Sequence, residues 1–319
     1  MNQFVSVADT PGVSLMVEKA LDYKRDPFKD KILGQDKTLG MVFLNPSMRT
    51  RISTQIAAKN LGMEVVVFNI DKEGWQLEFT DGAVMSGSSS EHVKEAAAVM
   101  GQYFDILAIR TFPGLKNREE DYKEIYIGQF IKYAGIPVMS LESATLHPLQ
   151  SLADIVTIAE TWKESRKPKV VMTWAPHVKA LPQAVPNSFA QWMNAWGEAE
   201  FVIAQPEGFE LDERISGKAT LEHRQDKALE GADYVYVKNW SAYKDYGRVS
   251  SDQSWMITNK KLERTNHAKL MHCLPVRRNV VIADEVLDGP DSIVVEQAGN
   301  RVWAAQAVLS EILNPLTSP

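Results

Sequence analysis

The chain has 319 residues, of which 45% are hydrophobic and 24% are charged, which is ordinary for a globular protein. Its formal net charge of −6 disfavours a nucleic-acid partner, and its single cysteine excludes an intrachain disulfide. The N-terminus lacks the pattern of a signal peptide, and no apolar run approaches the ~18 residues of a membrane span. We therefore expect a soluble cytoplasmic protein with neither a nucleic acid nor a membrane as its partner.

Short apolar runs that suit buried strands alternate along the chain with amphipathic runs that suit helices. The predicted strands cover residues 38–44, 63–68, 106–109, 137–140, 169–172, 201–204, 234–237 and 269–271. The predicted helices include residues 91–100, 124–133, 151–162 and 301–313. This alternation is typical of parallel sheets with crossover helices, so we predict the α/β class.

A chain of this length is expected to form about two domains. A break near residues 141–148 divides the predicted strands into two groups. We therefore predict a first domain at residues 1–145 and a second at residues 146–299. The amphipathic C-terminal segment, residues 300–319, is expected to pack back on the first domain.

The tract after the first predicted strand places arginines at the start of a helix. Ser47 suits the N-cap position, which puts Arg49 and Arg51 in the first turn. A helix N-terminus is partially positive, so each arginine there is unfavourable by roughly 0.3–1 kcal/mol. An anionic ligand would remove this penalty, because backbone N–H groups, Ser47, Thr50 and the guanidinium groups can together hold a phosphate. The alternative is a solvated pair of arginines. The face predicted to be buried carries Ile52, Ile56, Ala57 and Leu61.

Other polar residues follow predicted strands, where doubly wound sheets bind their ligands. Arg110 follows one strand, although a surface arginine is an equal alternative. His147 caps a helix that begins at Pro148, with Gln150 in its first turn; a structural histidine is the alternative. Arg301 is predicted to start a further helix, as Arg49 does.

The tract at residues 272–275 follows the last predicted strand. Cys273 invites assignment as a nucleophile, but a single cysteine beside apolar residues more often contributes to packing. Pro275 favours an extended conformation at Leu274 and lacks an N–H group, which leaves carbonyl groups of this turn available to a ligand. The histidines show no metal-binding spacing, and neither the dinucleotide fingerprint nor the P-loop is present.

Taken in order, these tracts resemble the motifs of the transcarbamylases. Residues 47–51 resemble the SxRTR carbamoyl-phosphate motif, and residues 147–154 resemble HPxQxLxD. Residues 272–275 match the HCLP motif of the ornithine branch, and residues 300–301 match the closing NR motif. The order and spacing agree over nearly the whole chain. The resemblance implies two doubly wound parallel-sheet domains of transcarbamylase type, a homotrimer with active sites shared between subunits, and no metal or organic cofactor.

The resemblance also implies which residues bind carbamoyl phosphate. They are Ser47, Met48, Arg49, Thr50, Trp75, Arg110, His147, Gln150, Cys273, Leu274 and Arg301. The catalytic residues within this set are Arg49, Thr50, Arg110, His147 and Gln150. Thr50, Arg110 and His147 are expected to face the carbamoyl oxygen and stabilise its developing negative charge. Trp75 is expected to reach the active site of a neighbouring subunit; the alternative is that it packs on its own domain.

The region expected to bind the second substrate departs from ordinary ornithine transcarbamylases. It lacks the SMG sequence, Arg277 follows the HCLP motif, and residues 173–192 are rich in proline. Gly299 also replaces the glutamate common in the closing motif. The first three departures, but not Gly299, resemble the N-acylornithine transcarbamylases, whose substrate has an uncharged α-nitrogen. The residues expected to bind an acylornithine are Ser90, Glu142, His177, Lys238 and Arg277.

The acyl group is predicted from Ser90, which stands where members that use N-acetylornithine resemble one another in having a glutamate. A glutamate would repel a succinyl carboxylate, whereas serine is small, neutral and able to donate a hydrogen bond. We therefore expect N-succinyl-L-ornithine to be the acceptor in a step of arginine biosynthesis. The alternatives are N-acetyl-L-ornithine, another amine such as ornithine, or a catalytically silent paralogue that only binds carbamoyl phosphate or a partner.

Overall fold

The computed structural model describes residues 1–317, which divide into two compact units. The first unit contains Met1–Gly114, Glu119–Leu149 and the described residues from Arg301 onward. The second unit contains Leu115–Arg118 and Gln150–Asn300. Each unit is built on its own five-stranded parallel sheet, which confirms the predicted α/β class.

Strands in the first part of the chain form one large and one small sheet. The strands are β1 (Gln3–Phe4), β2 (Thr38–Phe43), β3 (Glu64–Asn69), β4 (Leu77–Glu78), β5 (Glu91–His92), β6 (Ile106–Arg110) and β7 (Val138–Glu142). The helices are α1 (Val13–Arg25), α2 (Met48–Asn60), α3 (Ile70–Glu73), α4 (Val93–Tyr103), α5 (Arg118–Tyr122) and α6 (Ile125–Tyr133). The large sheet has the order β1-β7-β6-β2-β3, and β4 pairs with β5. The strand order therefore reverses between β2 and β6, where such sheets bind ligands.

The second unit repeats this architecture. Its strands are β8 (Lys169–Trp174), β9 (Glu200–Ala204), β10 (Thr220–Glu222), β11 (Tyr234–Lys238) and β12 (Lys269–Met271). The remaining helices of the chain are α7 (Pro148–Thr161), α8 (Ala184–Trp196), α9 (Glu213–Ser216), α10 (Gln225–Leu229), α11 (Asn259–Leu262), α12 (Asp284–Leu287) and α13 (Val294–Thr317). The sheet order is β10-β9-β8-β11-β12, so the reversal lies between β8 and β11. No helix within residues 1–317 is long and apolar enough to cross a membrane.

The predicted strands all occur, and most are buried apolar runs; β3 is an exception, with Glu64 exposed and Val66 46% exposed. Strands β1, β4, β5 and β10 were not predicted, since two or three residues are too few to show a hydrophobic pattern. The helix predicted at residues 91–100 begins at Val93, because the two residues before it pair with β4.

The predicted apolar face of α2 is wrong for two of its four residues, because Ala57 and Leu61 are buried but Ile52 and Ile56 are not. Ile52 and Ile56 are 50% and 42% exposed. The face that packs inward instead carries Thr50, Thr54 and Ala57, spaced four and three residues apart, together with neighbouring small residues. The side of α2 that contacts the sheet is therefore small and hydroxylated, and two isoleucines are left on the surface.

The prediction that Arg301 starts a helix is also wrong. Helix α13 begins at Val294, so Arg301 lies well inside it. The C-terminal segment does pack on the first unit, as predicted. Gln306 accepts a hydrogen bond from Asn60 at 3.0 Å and donates one to the carbonyl of Pro27 at 2.7 Å.

Two glycines in helices of the first unit provide a test of this packing. A Cβ atom on Gly101 of α4 would lie 1.9 Å from the carbonyl oxygen of Ala134, at the end of α6, whereas one on Gly128 of α6 would meet nothing within 4 Å. Gly101→Ala should therefore lower the free energy of unfolding by about 1–3 kcal/mol. Gly128→Ala should raise it by roughly 0.5–1 kcal/mol, because alanine favours the helix. Urea unfolding measures both; equal effects of the two variants would contradict the packing described.

Candidate active site

The start of α2 meets α13 at a buried hydroxyl group. Ser47 is the N-cap residue, but its side chain accepts no hydrogen bond from the backbone N–H groups of the helix; its hydroxyl donates to Oγ1 of Thr50 at 3.0 Å. Arg301 donates from Nη2 to the same Thr50 oxygen at 2.6 Å, and both residues are buried. The structure therefore brings together three of the residues predicted to bind phosphate, at the N-terminus of a helix.

The other residues of this first turn differ in their surroundings. Arg49 is half-buried, whereas Met48 is exposed. The guanidinium of Arg51 lies 5.9 Å from the centre of the Phe43 ring, within the range of a cation–π contact. Arg51 is thus directed to the end of β2, and Arg49 is the arginine of this turn that shares the helix start with Ser47 and Thr50.

A second buried cluster forms where β6 and β7 end. Arg110 pairs with the carboxylate of Glu142, whose Oε2 also lies 3.6 Å from Nε2 of His147. The pairing of β6 with β7 shifts register between Ile109 and Arg110, so that Arg110 lies opposite Glu142. Such irregularities redirect side chains, and here one brings a cation and a carboxylate together. Glu142, predicted to bind the acylornithine, thus lies beside two residues predicted to face the carbamoyl group.

The loop that leads to His147 depends on a residue that the sequence analysis missed. The carboxylate of Glu124 accepts hydrogen bonds from the hydroxyl of Ser143 at 2.6 Å and from the backbone N–H groups of Ala144 and Thr145 at 3.1 and 2.7 Å. It also accepts one from the Thr145 hydroxyl. Glu124 adopts a left-handed conformation, with φ of 50°. No local pattern marks it, because its partners are about 20 residues away.

Trp75 and Ser90 are brought close by the pairing of β4 with β5. The Trp75 side chain is 54% exposed, and its indole N–H donates to Oε2 of Glu91 at 2.8 Å. Ser90 is exposed, and its backbone N–H donates to the carbonyl of Gln76 at 3.0 Å. Trp75 is therefore not packed into the core of its own unit.

Cationic residues cluster at the carboxyl ends of β8 and β11, where the second sheet reverses. The backbone N–H of Ala175 donates to the carbonyl of Lys238 at 3.2 Å, which ties the two strand ends together. Burial lowers the pKa of His177, and the positive charges of Lys238 and Arg277 lower it further, against the opposing effect of a hydrogen bond with Lys179. Three residues predicted to bind the acylornithine are therefore close enough to interact electrostatically.

The remaining predicted residues lie in the second unit. Gln150 is buried in the first turn of α7, and its Nε2 donates to Oδ1 of Asp154 at 2.7 Å. Cys273 is buried and forms no disulfide. The extended conformation predicted for Leu274 is wrong: its φ is 56°, and its N–H donates to Nδ1 of His272 at 2.8 Å, which closes a tight turn. Within residues 1–317, no group of three or more potential ligands is arranged to hold a metal ion.

Comparison with known proteins identifies the class to which this geometry belongs. Residues 3–160 match the family model of the aspartate/ornithine carbamoyltransferase carbamoyl-P binding domain. Residues 183–312 match the model of the aspartate/ornithine carbamoyltransferase Asp/Orn binding domain. The chain therefore belongs to the aspartate/ornithine carbamoyltransferase family and is an enzyme of that class.

Two relatives within the family are named for acylated ornithines. The chain is 50% identical to an N-succinylornithine carbamoyltransferase of Bacteroides fragilis, over 99% of this chain and 100% of the relative. It is 33% identical to an N-acetylornithine carbamoyltransferase of Xanthomonas campestris, over 94% and 93% of the two chains.

Solved structures of N-acetylornithine transcarbamylase share the fold. A complex with acetylcitrulline has a TM-score of 0.90 and 31% identity, and the match covers 98% of this chain and 99% of that one. A variant in which one glutamate is replaced by serine has a TM-score of 0.89 and 31% identity, covering 98% and 100%. That variant was solved with carbamyl phosphate and N-succinyl-L-norvaline.

The electrostatic cluster of the second unit can be tested by titrating His177. Replacing Lys238 by methionine removes a positive charge that disfavours the imidazolium form, so the pKa of His177 should rise. Lys244→Met, at an exposed site that does not affect His177, should leave this pKa unchanged. NMR titration of the imidazole signals, assigned with a His177→Gln variant, measures both. An unchanged pKa in Lys238→Met would show that the two groups do not interact.

Proposed function

We propose that the chain transfers the carbamoyl group of carbamoyl phosphate to the δ-amine of N-succinyl-L-ornithine, giving N-succinyl-L-citrulline and phosphate, in arginine biosynthesis. The observation that carries this proposal is the convergence of Ser47, Thr50 and Arg301 at the N-terminus of α2. The 50% identity to an N-succinylornithine carbamoyltransferase supports it.

In this proposal the phosphate group is bound at the start of α2. Backbone N–H groups of the first turn and the partial positive charge of the helix end attract a dianion. Ser47, Met48, Arg49 and Arg301 complete the site, and the exposed ring of Trp75 extends into the site of a neighbouring subunit. Arginine suits this role because its planar guanidinium matches two phosphate oxygens.

The carbamoyl group is bound by residues that respond to its changing charge. Thr50, Arg110 and His147 donate to the carbonyl oxygen, whose negative charge grows as the carbon becomes tetrahedral. Gln150 and the carbonyl groups of residues 273–274 accept hydrogen bonds from the NH2 group. Arg110 then exchanges part of its contact with Glu142 for the carbamoyl oxygen. No covalent enzyme intermediate forms, because the δ-amine attacks directly.

The δ-amine must be neutral before it attacks, and a free alkyl amine has a pKa of about 10. Transfer of the ammonium group out of water lowers that pKa. Glu142 contributes to binding the acceptor, because its carboxylate lies next to Arg110 and His147, which face the carbamoyl group. The departing phosphate accepts the proton that the amine releases.

The cationic cluster of the second unit suits an acceptor with two carboxylates. N-succinyl-L-ornithine carries an α-carboxylate and a succinyl carboxylate, whereas N-acetyl-L-ornithine carries one. Lys238, Arg277 and His177 supply the positive charge and a hydrogen-bonding group. Ser90, being small and neutral, neither repels nor crowds the succinyl group. The glutamate-to-serine variant solved with N-succinyl-L-norvaline supports this assignment.

N-acetyl-L-ornithine is the second candidate acceptor. The similarity to N-acetylornithine transcarbamylase complexed with acetylcitrulline favours it, since the fold agrees at a TM-score of 0.90. The chemistry proposed for carbamoyl phosphate would be unchanged. The two acceptors differ only in the group that meets Ser90 and the cationic cluster.

We also propose a homotrimer with shared active sites, located in the cytoplasm. Met48, Ile52 and Ile56 form an apolar row, four residues apart, on the exposed side of α2. An exposed row beside the phosphate site suits contact with a second copy of the chain. The exposed Trp75 supports the same assembly, because tryptophan is enriched where subunits meet.

Replacing Arg49 by alanine should lower kcat/KM for carbamoyl transfer by at least ~10²-fold, because a cation that binds the phosphate and stabilises its charge as it departs is lost. Lys59→Ala, which removes a positive charge from the last turn of the same helix, should have little effect. Product ureido group is quantified for both variants, with the oligomeric mass measured in parallel. Near-normal turnover by Arg49→Ala would contradict the proposed phosphate site.

Replacing Ser90 by glutamate should reverse the acceptor preference. The added carboxylate repels the succinyl group, so kcat/KM for N-succinylornithine should fall at least about tenfold, with a smaller change for N-acetylornithine. Ser86→Glu adds the same charge elsewhere in this exposed loop and serves as the matched control. Parallel losses with both acceptors would show that Ser90 does not select the acyl group.

A further inference from the structure

A buried chain of hydrogen bonds in the second unit joins the turn after β12 to the start of α7. The backbone N–H of His272 donates to Oε1 of Gln297 at 2.8 Å. Nε2 of Gln297 donates to Oδ1 of Asp154 at 2.6 Å, and Nε2 of Gln150 donates to the same oxygen at 2.7 Å. Gln150 is 1% exposed, and Asp154 and Gln297 are 0% exposed. We refer to Gln150, Asp154, Gln297 and the His272 N–H as the amide relay.

Each bond of the amide relay fixes the orientation of the next group. A backbone N–H can only donate, so Gln297 must present its oxygen to His272 and its NH2 group to Asp154. An ionised carboxylate can only accept, so Gln150 must turn its own NH2 group toward Asp154. The carbonyl oxygen of Gln150 is thereby directed away from Asp154. The oxygen and the NH2 group of a glutamine amide have nearly the same shape, so only their hydrogen-bond partners determine which way the amide faces.

Both amide groups of the relay converge on one oxygen of Asp154. Its Oδ1 accepts from Gln150 and from Gln297, so the relay requires only that this oxygen carries no proton. Tyr236 of β11 is its fully buried neighbour. Burial raises the pKa of Tyr236 well above its ordinary value, and interactions with Asp154 and Cys273 raise it further. The phenol therefore stays neutral beside Asp154.

We propose that Asp154 and Gln297 are positioning residues that hold the amide of Gln150 with its oxygen toward the NH2 group of the carbamoyl donor. This inference rests on the proposed function, in which Gln150 accepts a hydrogen bond from that NH2 group, and it deepens that function. A reversed Gln150 amide would present one NH2 group to another, and neither can accept. The relay therefore makes the enzyme selective for a donor that carries NH2 rather than a methyl group of similar size.

Acetyl phosphate provides the probe, because it replaces the NH2 group of carbamoyl phosphate by a methyl group and keeps the phosphate. Calorimetric titration gives Kd for carbamoyl phosphate, acetyl phosphate and inorganic phosphate with each protein. The wild type should bind carbamoyl phosphate more tightly than acetyl phosphate. Asp154→Ala and Gln297→Met should each reduce this preference about tenfold and leave Kd for inorganic phosphate unchanged.

Two further variants separate positioning from general damage. Thr161→Val removes a hydroxyl from the last residue of the same helix, which donates to the carbonyl of Thr157 at 2.7 Å and lies outside the relay; the preference should remain. Gln150→Leu removes the amide itself and should abolish the preference. In the Gln150→Leu background, Asp154→Ala should cause no further change, because the relay acts only through Gln150. Thermal unfolding is measured for every variant.

The possible outcomes are distinct. A wild type that does not bind carbamoyl phosphate overturns the proposed function and this inference together. A wild type that prefers carbamoyl phosphate, with variants that keep the preference, overturns the relay alone. Equal loss of affinity for all three ligands would show a merely structural role and also overturn it. If Asp154→Ala does not fold, Gln297→Met decides the question, because Asp154 and Gln150 remain in place.

Discussion

One hydroxyl group, that of Thr50, joins two segments on which the proposed phosphate site depends. It accepts a hydrogen bond from Ser47 in the same turn and another from Arg301, which lies 251 residues further along the chain. The guanidinium of Arg301 is buried, and a buried charge is stable only when hydrogen-bonded and electrostatically compensated. The position of α13 in the first unit therefore determines how much positive charge the start of α2 can offer to an anion.

The charged residues of the two units are arranged differently. In the first unit, the buried Arg110 is compensated by Glu142, which holds the arginine in place at the end of β6. In the second unit, Lys238 and Arg277 act together on His177 and lower its pKa. An arginine that is paired with a carboxylate can exchange partners when a carbonyl oxygen approaches it. A group of neighbouring cations attracts carboxylates. These two arrangements correspond to the two kinds of substrate in the proposed reaction.

Much of the fold could be predicted from the sequence, because most of its longer strands are buried apolar runs with clear breaks between them. Residues separated by short, fixed spacings, such as Ser47 and Thr50, could also be grouped correctly. The inner face of α2 could not be predicted, because it is lined by hydroxyl groups. The hydrophobic pattern indicated Ile52 and Ile56 instead, and these two residues are exposed. The contact between Gln297 and Asp154 spans 143 residues, and no local pattern encodes it.

The identity of the amine that receives the carbamoyl group is tested most directly on the unmodified protein. Carbamoyl transfer from carbamoyl phosphate should be measured with N-succinylornithine, N-acetylornithine and ornithine, with the product ureido group quantified. We predict a clear preference for N-succinylornithine. A preference for N-acetylornithine or ornithine would contradict the assigned acceptor while leaving the carbamoyl-phosphate site in place. Absence of transfer to all three would contradict the proposed function.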